Sequence, residues 1–120
     1  MPTLQKPFLL RKIVILVSIL VLVTFIAYRD ALNNGFMAWD SGSYIVENPH
    51  IKALAWENLK RMLTAFYVAN WHPLTWLSHA IDYALFGMNP WGHHLTNLII
   101  HGLNVIGFFM LSMILLTLST

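Results

Sequence analysis

The sequence predicts an all-α membrane protein: two antiparallel transmembrane helices joined by an outer loop with two short amphipathic surface helices. Three observations predict it. The 120-residue chain is 58% hydrophobic and only 10% charged, against about 25% charge in an ordinary soluble domain. Its apolar residues gather in two long runs, one near each end. Between them lies a segment rich in tryptophan and histidine, WDSGSYIVENPHIKALAWENLKRMLTAFYVANWHPLTWLSHAIDYALFGMNPWGHHLTNLIIH, which a simple membrane anchor has no use for.

Residues 1–12 form a short basic N-terminus. Lys6, Arg11 and Lys12 precede the first apolar run and only Arg29 follows it closely. The positive-inside rule therefore puts the N-terminus in the cytoplasm. The first span is 13–32. Its uninterrupted core, Ile13 to Tyr28, is shorter than the roughly 20 residues that cross a bilayer. Snorkelling by Arg11, Lys12 and Arg29 and extension through Ala31 and Leu32 make up the difference. The competing reading is a cleaved signal peptide, but the run is long for one and no A-x-A-like cleavage site follows it.

The outer loop is 33–90, on the periplasmic or luminal side. A helix is expected near 54–66, with Ala55, Leu59, Met62, Leu63 and Phe66 on one face and Glu57, Asn58, Lys60 and Arg61 on the other. Such a helix fits either the headgroup region or a protein surface. A second is expected near 73–86, opened by Pro73 at a first helical position and closed by Gly87. Trp71, Trp76, Tyr83 and Trp91 fit an interfacial aromatic belt. Asn89 then caps the second span, 91–118, with Pro90 in its first turn. That span carries no charge, but Asn97, His101 and Asn104 lie in its first half.

The chain has no cysteine, which excludes disulfides, thiol nucleophiles and thiolate metal sites. No dense basic face points to nucleic acid. No Gly-rich phosphate loop or nucleophile elbow is present.

Asp40, in the turn-forming WDSGS, is the first candidate for chemistry. A carboxylate close to the bilayer beside Trp39 and Tyr44 suits a general base; the plain alternative is a solvated turn aspartate or a cap. Glu47, in VENP, is a second acid. His94, Asn97, His101 and Asn104 follow an i, i+3, i+7, i+10 stripe. They either line a polar pocket under the loop or make interhelical hydrogen bonds. His94 and His101 are two turns apart, a poor spacing for one ion. His79 and Asp82, at i,i+3, either orient an imidazole or form a local contact. No metal is assigned.

The runs NWHPLTWLSH and FGMNPWGHHLTNLIIH, within residues 36–109, resemble the N-terminal region of membrane glycosyltransferases that carry tetratricopeptide repeats. These are the transmembrane and tetratricopeptide-repeat O-mannosyltransferases and their bacterial relatives, in the GT-C superfamily. The resemblance implies an inverting transfer from a polyprenyl-phosphate sugar to an acceptor held outside the bilayer. By position, Asp40 matches the acid of the first outer loop in that superfamily. Glu47, His94, Asn97 and His101 are then candidate substrate-binding residues, with no cofactor beyond the lipid-linked donor.

Two departures stand out. Family members often show two consecutive acids where this chain has Asp40 followed by Ser41. Superfamily members also have many spans, and the repeat-bearing ones continue into soluble helical repeats. No 34-residue repeat occurs here. The expectation is an N-terminal fragment, inactive without further spans or a partner subunit, in a bacterial inner membrane or the endoplasmic reticulum membrane. The alternatives are a non-enzymatic two-span binding or assembly protein, and a small histidine-lined metal or proton site.

Overall fold

The computed structural model describes residues 5–37 and 41–119. Within them the chain is helical, with no strand among the described residues. Four α-helices occur: α1 (Gln5–Tyr28), α2 (Trp56–Thr64), α3 (Pro73–Phe86) and α4 (Pro90–Leu118). A 3₁₀ segment, Arg29–Asn33, extends α1, a single wide π-helical turn runs over Gly42–Val46, and a 3₁₀ turn over Pro49–Ile51. The chain divides into two compact units, one comprising residues 1–30 and 97–120, the other residues 31–96.

The first unit holds α1 and most of α4. Pro7–Asn33 and Pro90–Leu118 are each long and apolar enough to cross a membrane. Several of their hydroxyls are satisfied within their own helix. The hydroxyls of Thr24, Ser112 and Thr117 donate to the carbonyls of Leu20, Phe108 and Met113, four residues back, at 2.8 Å. That is the local solution for a hydroxyl in hydrocarbon, where no water is available as partner. At the N-terminal end the Lys12 ammonium lies 4.4 Å from the centre of the Phe8 ring.

The second unit is the loop, and it has its own core. Ile45, Ile51, Met62, Trp76 and Ala80 are buried together, with Phe36, Tyr44, Leu59 and Tyr67 packed against them. The Pro49–Ile51 turn and α2 both pack on α3. Asn48 caps that turn, its side chain accepting from the His50 amide at 3.0 Å. Its Nδ2 donates back to the Tyr44 carbonyl at 3.2 Å. Asn48 is itself buried, so this is the pairing that burial of a polar group requires.

Trp76 corrects an expectation. It does not join an interfacial belt with Trp71 and Trp91, which are exposed; it is 2% exposed at the centre of the core. The rings of Tyr44 and Tyr67 meet it edge-on at 4.7 and 5.6 Å, a geometry that the ring quadrupoles favour. Likewise α2 turns only part of its apolar face inward. Met62 is buried and Leu59 half-buried, while Leu63 remains exposed, as does Phe66 beyond the helix end at Thr64.

Candidate functional site

The chemistry-bearing side chains of the loop unit meet where α3 turns into α4. Gly87 ends α3 at φ 61° and its amide donates to the Tyr83 carbonyl, a left-handed conformation that glycine adopts without Cβ strain. Asn89 opens α4, its side chain accepting from the Trp91 amide at 3.1 Å. Gly92 lets the corner close, since a Cβ there would collide with the Phe86 ring. The first turn of α4 therefore lies close against the end of α3.

This corner joins two i,i+3 pairs: His79 and Asp82 on α3, His93 and Thr96 on α4. Residues at that spacing share a helix face. The Thr96 hydroxyl donates to Asp82 Oδ1 at 2.6 Å. His93 Nε2 donates to the Gly87 carbonyl at 3.0 Å, because a carbonyl can only accept. In the neutral ring that leaves Nδ1 as a bare acceptor. His93 Nδ1 lies 3.7 Å from Asp82 Oδ2, with the two side chains only 2% and 4% exposed. That separation is too long for a hydrogen bond, and His93 Nδ1 has no hydrogen-bond partner; nor does the buried Nδ1 of His79.

His79 completes the group. One ligand atom from each of His79, Asp82 and His93 lies within 4.8 Å of the others. The His79 and His93 rings are 6.2 Å apart, centre to centre. Burial lowers the His79 pKa below its ordinary value. His93 adds to that lowering and Asp82 partly offsets it. Burial thus favours the neutral, lone-pair-bearing form of His79, the form that ligates metals.

The residues singled out from sequence do not form one site. Asp40, with Trp39, lies outside the described residues. Glu47 is exposed, its backbone amide donating to the Gly42 carbonyl at 2.8 Å. The histidine and asparagine stripe is divided between the two units. His94 belongs to the loop unit, its Nε2 3.4 Å from the Gly35 carbonyl. Asn97, His101 and Asn104 belong to the helix pair. There His101 meets the Tyr28 ring edge-on at 4.9 Å. His101 and Asn104 line a mostly apolar groove of about 440 Å³ with Leu20, Val105, Phe108, Phe109 and Ser112. In the loop unit, the cavity bounded by Asn48, Arg61, Tyr67 and Trp76 measures about 20 Å³, room for a water and not for a sugar.

The residue that the sequence reading missed is His93. Its signal is the dyad His93–His94, where two adjacent imidazoles on a helix must point in different directions. His93 turns to α3 and His94 to the segment at Gly35.

Comparison with known proteins gives one more observation. The chain is similar to the protein O-mannosyl-transferase Tmtc1 of Drosophila melanogaster, 29% identical over 86 residues. The match covers 66% of this chain and 10% of that protein. This supports a distant relation to that family. No family model matches the chain, and no solved structure matches it.

Proposed function

We propose that this chain forms the first membrane unit of a glycosyltransferase that moves a sugar from a polyprenyl-phosphate donor to an acceptor outside the bilayer, in the manner of protein O-mannosylation. In this reading α1 and α4 cross the membrane in opposite directions with the N-terminus cytoplasmic. The membrane is a bacterial inner membrane or that of the endoplasmic reticulum. The loop unit then sits on the side where the lipid-linked sugar is presented.

Asp40 is the base in this proposal. It takes the proton from the acceptor hydroxyl as that oxygen attacks the anomeric carbon. The bond to the phosphate oxygen breaks on the opposite face, so the configuration inverts and polyprenyl phosphate leaves. Glu47, His94, Asn97 and His101 contribute to holding the substrates. Further transmembrane spans or a partner subunit supply the groups that grip the donor phosphate.

The similarity to Tmtc1 carries this reading. It is supported by the order of the segment next to Asp40. Ser41 leads directly into the turn Gly42–Val46. Two residues into that turn, the Tyr44 hydroxyl accepts from Asn70 Nδ2 at 2.8 Å, and the Tyr44 ring packs on Trp76. The chain beside the proposed base is therefore tethered to the loop core.

The test is a chimera of Tmtc1 in which this chain replaces the matching segment, assayed for transfer from dolichyl-phosphate mannose. The chimera is expected to transfer sugar, and Asp40→Asn to slow it roughly 100-fold or more with normal membrane insertion, the scale of a lost general base. Unchanged transfer by Asp40→Asn would contradict the assignment.

A further inference from the structure

The corner between α3 and α4 poses an electrostatic problem that the transferase reading does not use. His93 Nδ1 and Asp82 Oδ2 face each other at 3.7 Å, shielded from water. Each is the free end of a group whose other end is occupied. His93 Nε2 is held by the Gly87 carbonyl and Asp82 Oδ1 by the Thr96 hydroxyl. Two lone pairs aimed at each other in a buried place repel, and desolvation raises the cost. A shared proton, a bridging water that donates to both, or a cation relieves this repulsion. The nearby His79, with a ligand atom within 4.8 Å of both, favours the cation. A shared proton or a bridging water engages two of these groups, whereas a cation engages all three, the unpartnered Nδ1 of His79 included.

We propose that His79, Asp82 and His93 bind one divalent transition cation of the zinc type, pinning α3 to the first turn of α4. Two imidazoles and one carboxylate suit such an ion and not calcium or magnesium, which take oxygen ligands. Three protein ligands leave the fourth position of a tetrahedral site to water or a substrate oxygen. With bonds of about 2.0–2.2 Å, tetrahedral ligand atoms stand roughly 3.5 Å apart. The His93–Asp82 separation is already close to this, and the His79 ligand atom lies within 4.8 Å of both. Thr96 and the Gly87 carbonyl take the part of outer partners, which orient ligands and fix the imidazole tautomer. Gly92 is part of the same design, because without close packing against Phe86 the two helices would not bring the three donors together.

The site does not depend on the transferase reading, and it is tested by metal content. The untagged full chain in lipid nanodiscs is stripped with a chelator and titrated with Zn²⁺, Co²⁺ and Mg²⁺. One Zn²⁺ or Co²⁺ per chain is expected, the Co²⁺ form showing the visible absorption of a low-coordinate nitrogen and oxygen site, with no uptake of Mg²⁺. Asp82→Asn and His79→Gln should each weaken Zn²⁺ binding at least tenfold while helix content is kept. His72→Gln, at an exposed histidine, should bind as the native chain does. Thr96→Val, which removes only the outer hydrogen bond, should weaken binding by about tenfold to a hundredfold. Failure of the native chain to take up either Zn²⁺ or Co²⁺ would overturn the proposal. Equal affinity of His72→Gln and His79→Gln would also overturn it.

Discussion

The helix pair and the loop use apolar residues for opposite purposes. In α1 none of the best membrane-spanning window is buried, and in α4 only 6% is. Leucine, isoleucine and phenylalanine cover their outsides. The loop has fewer such residues, yet it buries Ile51 and Trp76 almost completely and encloses Asn48, Asp82 and His93 with them. The difference teaches that hydrophobicity has two destinations here. Where lipid is the solvent an apolar side chain need meet no protein at all, and helix contacts rely on packing and polar groups. Where water is the solvent, a handful of side chains must converge to give a stable core. A substitution is therefore expected to act through packing in the loop and through membrane insertion in the helices.

The largest effect is expected at Trp76. Trp76→Ala removes the centre of the loop core and should cost about 3–5 kcal/mol of loop stability. Faster proteolysis of the loop, with α1 and α4 still inserted, would show it. An unchanged digestion pattern would break the comparison on the loop side. Ile19, near the middle of α1 and half-exposed, comes next. Ile19→Arg should cost about 3 kcal/mol, through insertion alone, measured as the fraction of chain resistant to alkaline extraction. Ile19→Ala should change loop stability by almost nothing. A loop destabilised by Ile19→Ala would mean that α1 is packed against protein and not lipid.

The smallest effect sharpens the loop side. Tyr67 and Asn70 exchange backbone hydrogen bonds at 2.9 and 3.0 Å across a two-residue turn. Its central residues, Val68 and Ala69, sit at φ 50° and 59°. A β-branched residue is strained there, whereas Asn-Gly suits this mirror-image turn. Val68→Asn with Ala69→Gly should stabilise the loop by about 1 kcal/mol, read as a raised thermal midpoint. A lowered midpoint would mean that the Val68 and Ala69 side chains contribute packing that outweighs the strain.

Legibility in the sequence followed the range of the interactions. The helical class and the two apolar helices were readable because composition and run length act locally. Pro73, Gly87, Asn89 and Pro90 marked helix ends through backbone chemistry that involves only near neighbours. Trp76 was not readable, because an interfacial tryptophan and a core tryptophan are the same residue until its neighbours are known. A turn at WDSGS was readable from Gly42 and the serines, but its extension to Val46 was not, since that depends on Ile45 joining Ile51 and Trp76 in the core. Of the site, the His79–Asp82 pair was visible as a spacing, but its meaning waited on His93, which the corner at Gly87 brings back from the next helix. The stripe from His94 to Asn104 was real as helical spacing, yet a single stripe crosses from the loop unit into the helix pair and so serves two environments.

The most direct test of the contrast is amide hydrogen exchange of the full chain in nanodiscs, resolved by segment. A packed loop predicts slow exchange across Pro73–Phe86, and Trp76→Ala should abolish that protection while α1 and the second half of α4 stay protected by lipid. Free-peptide exchange rates throughout the native loop would contradict the account, and with it the packed corner that joins His79, Asp82 and His93.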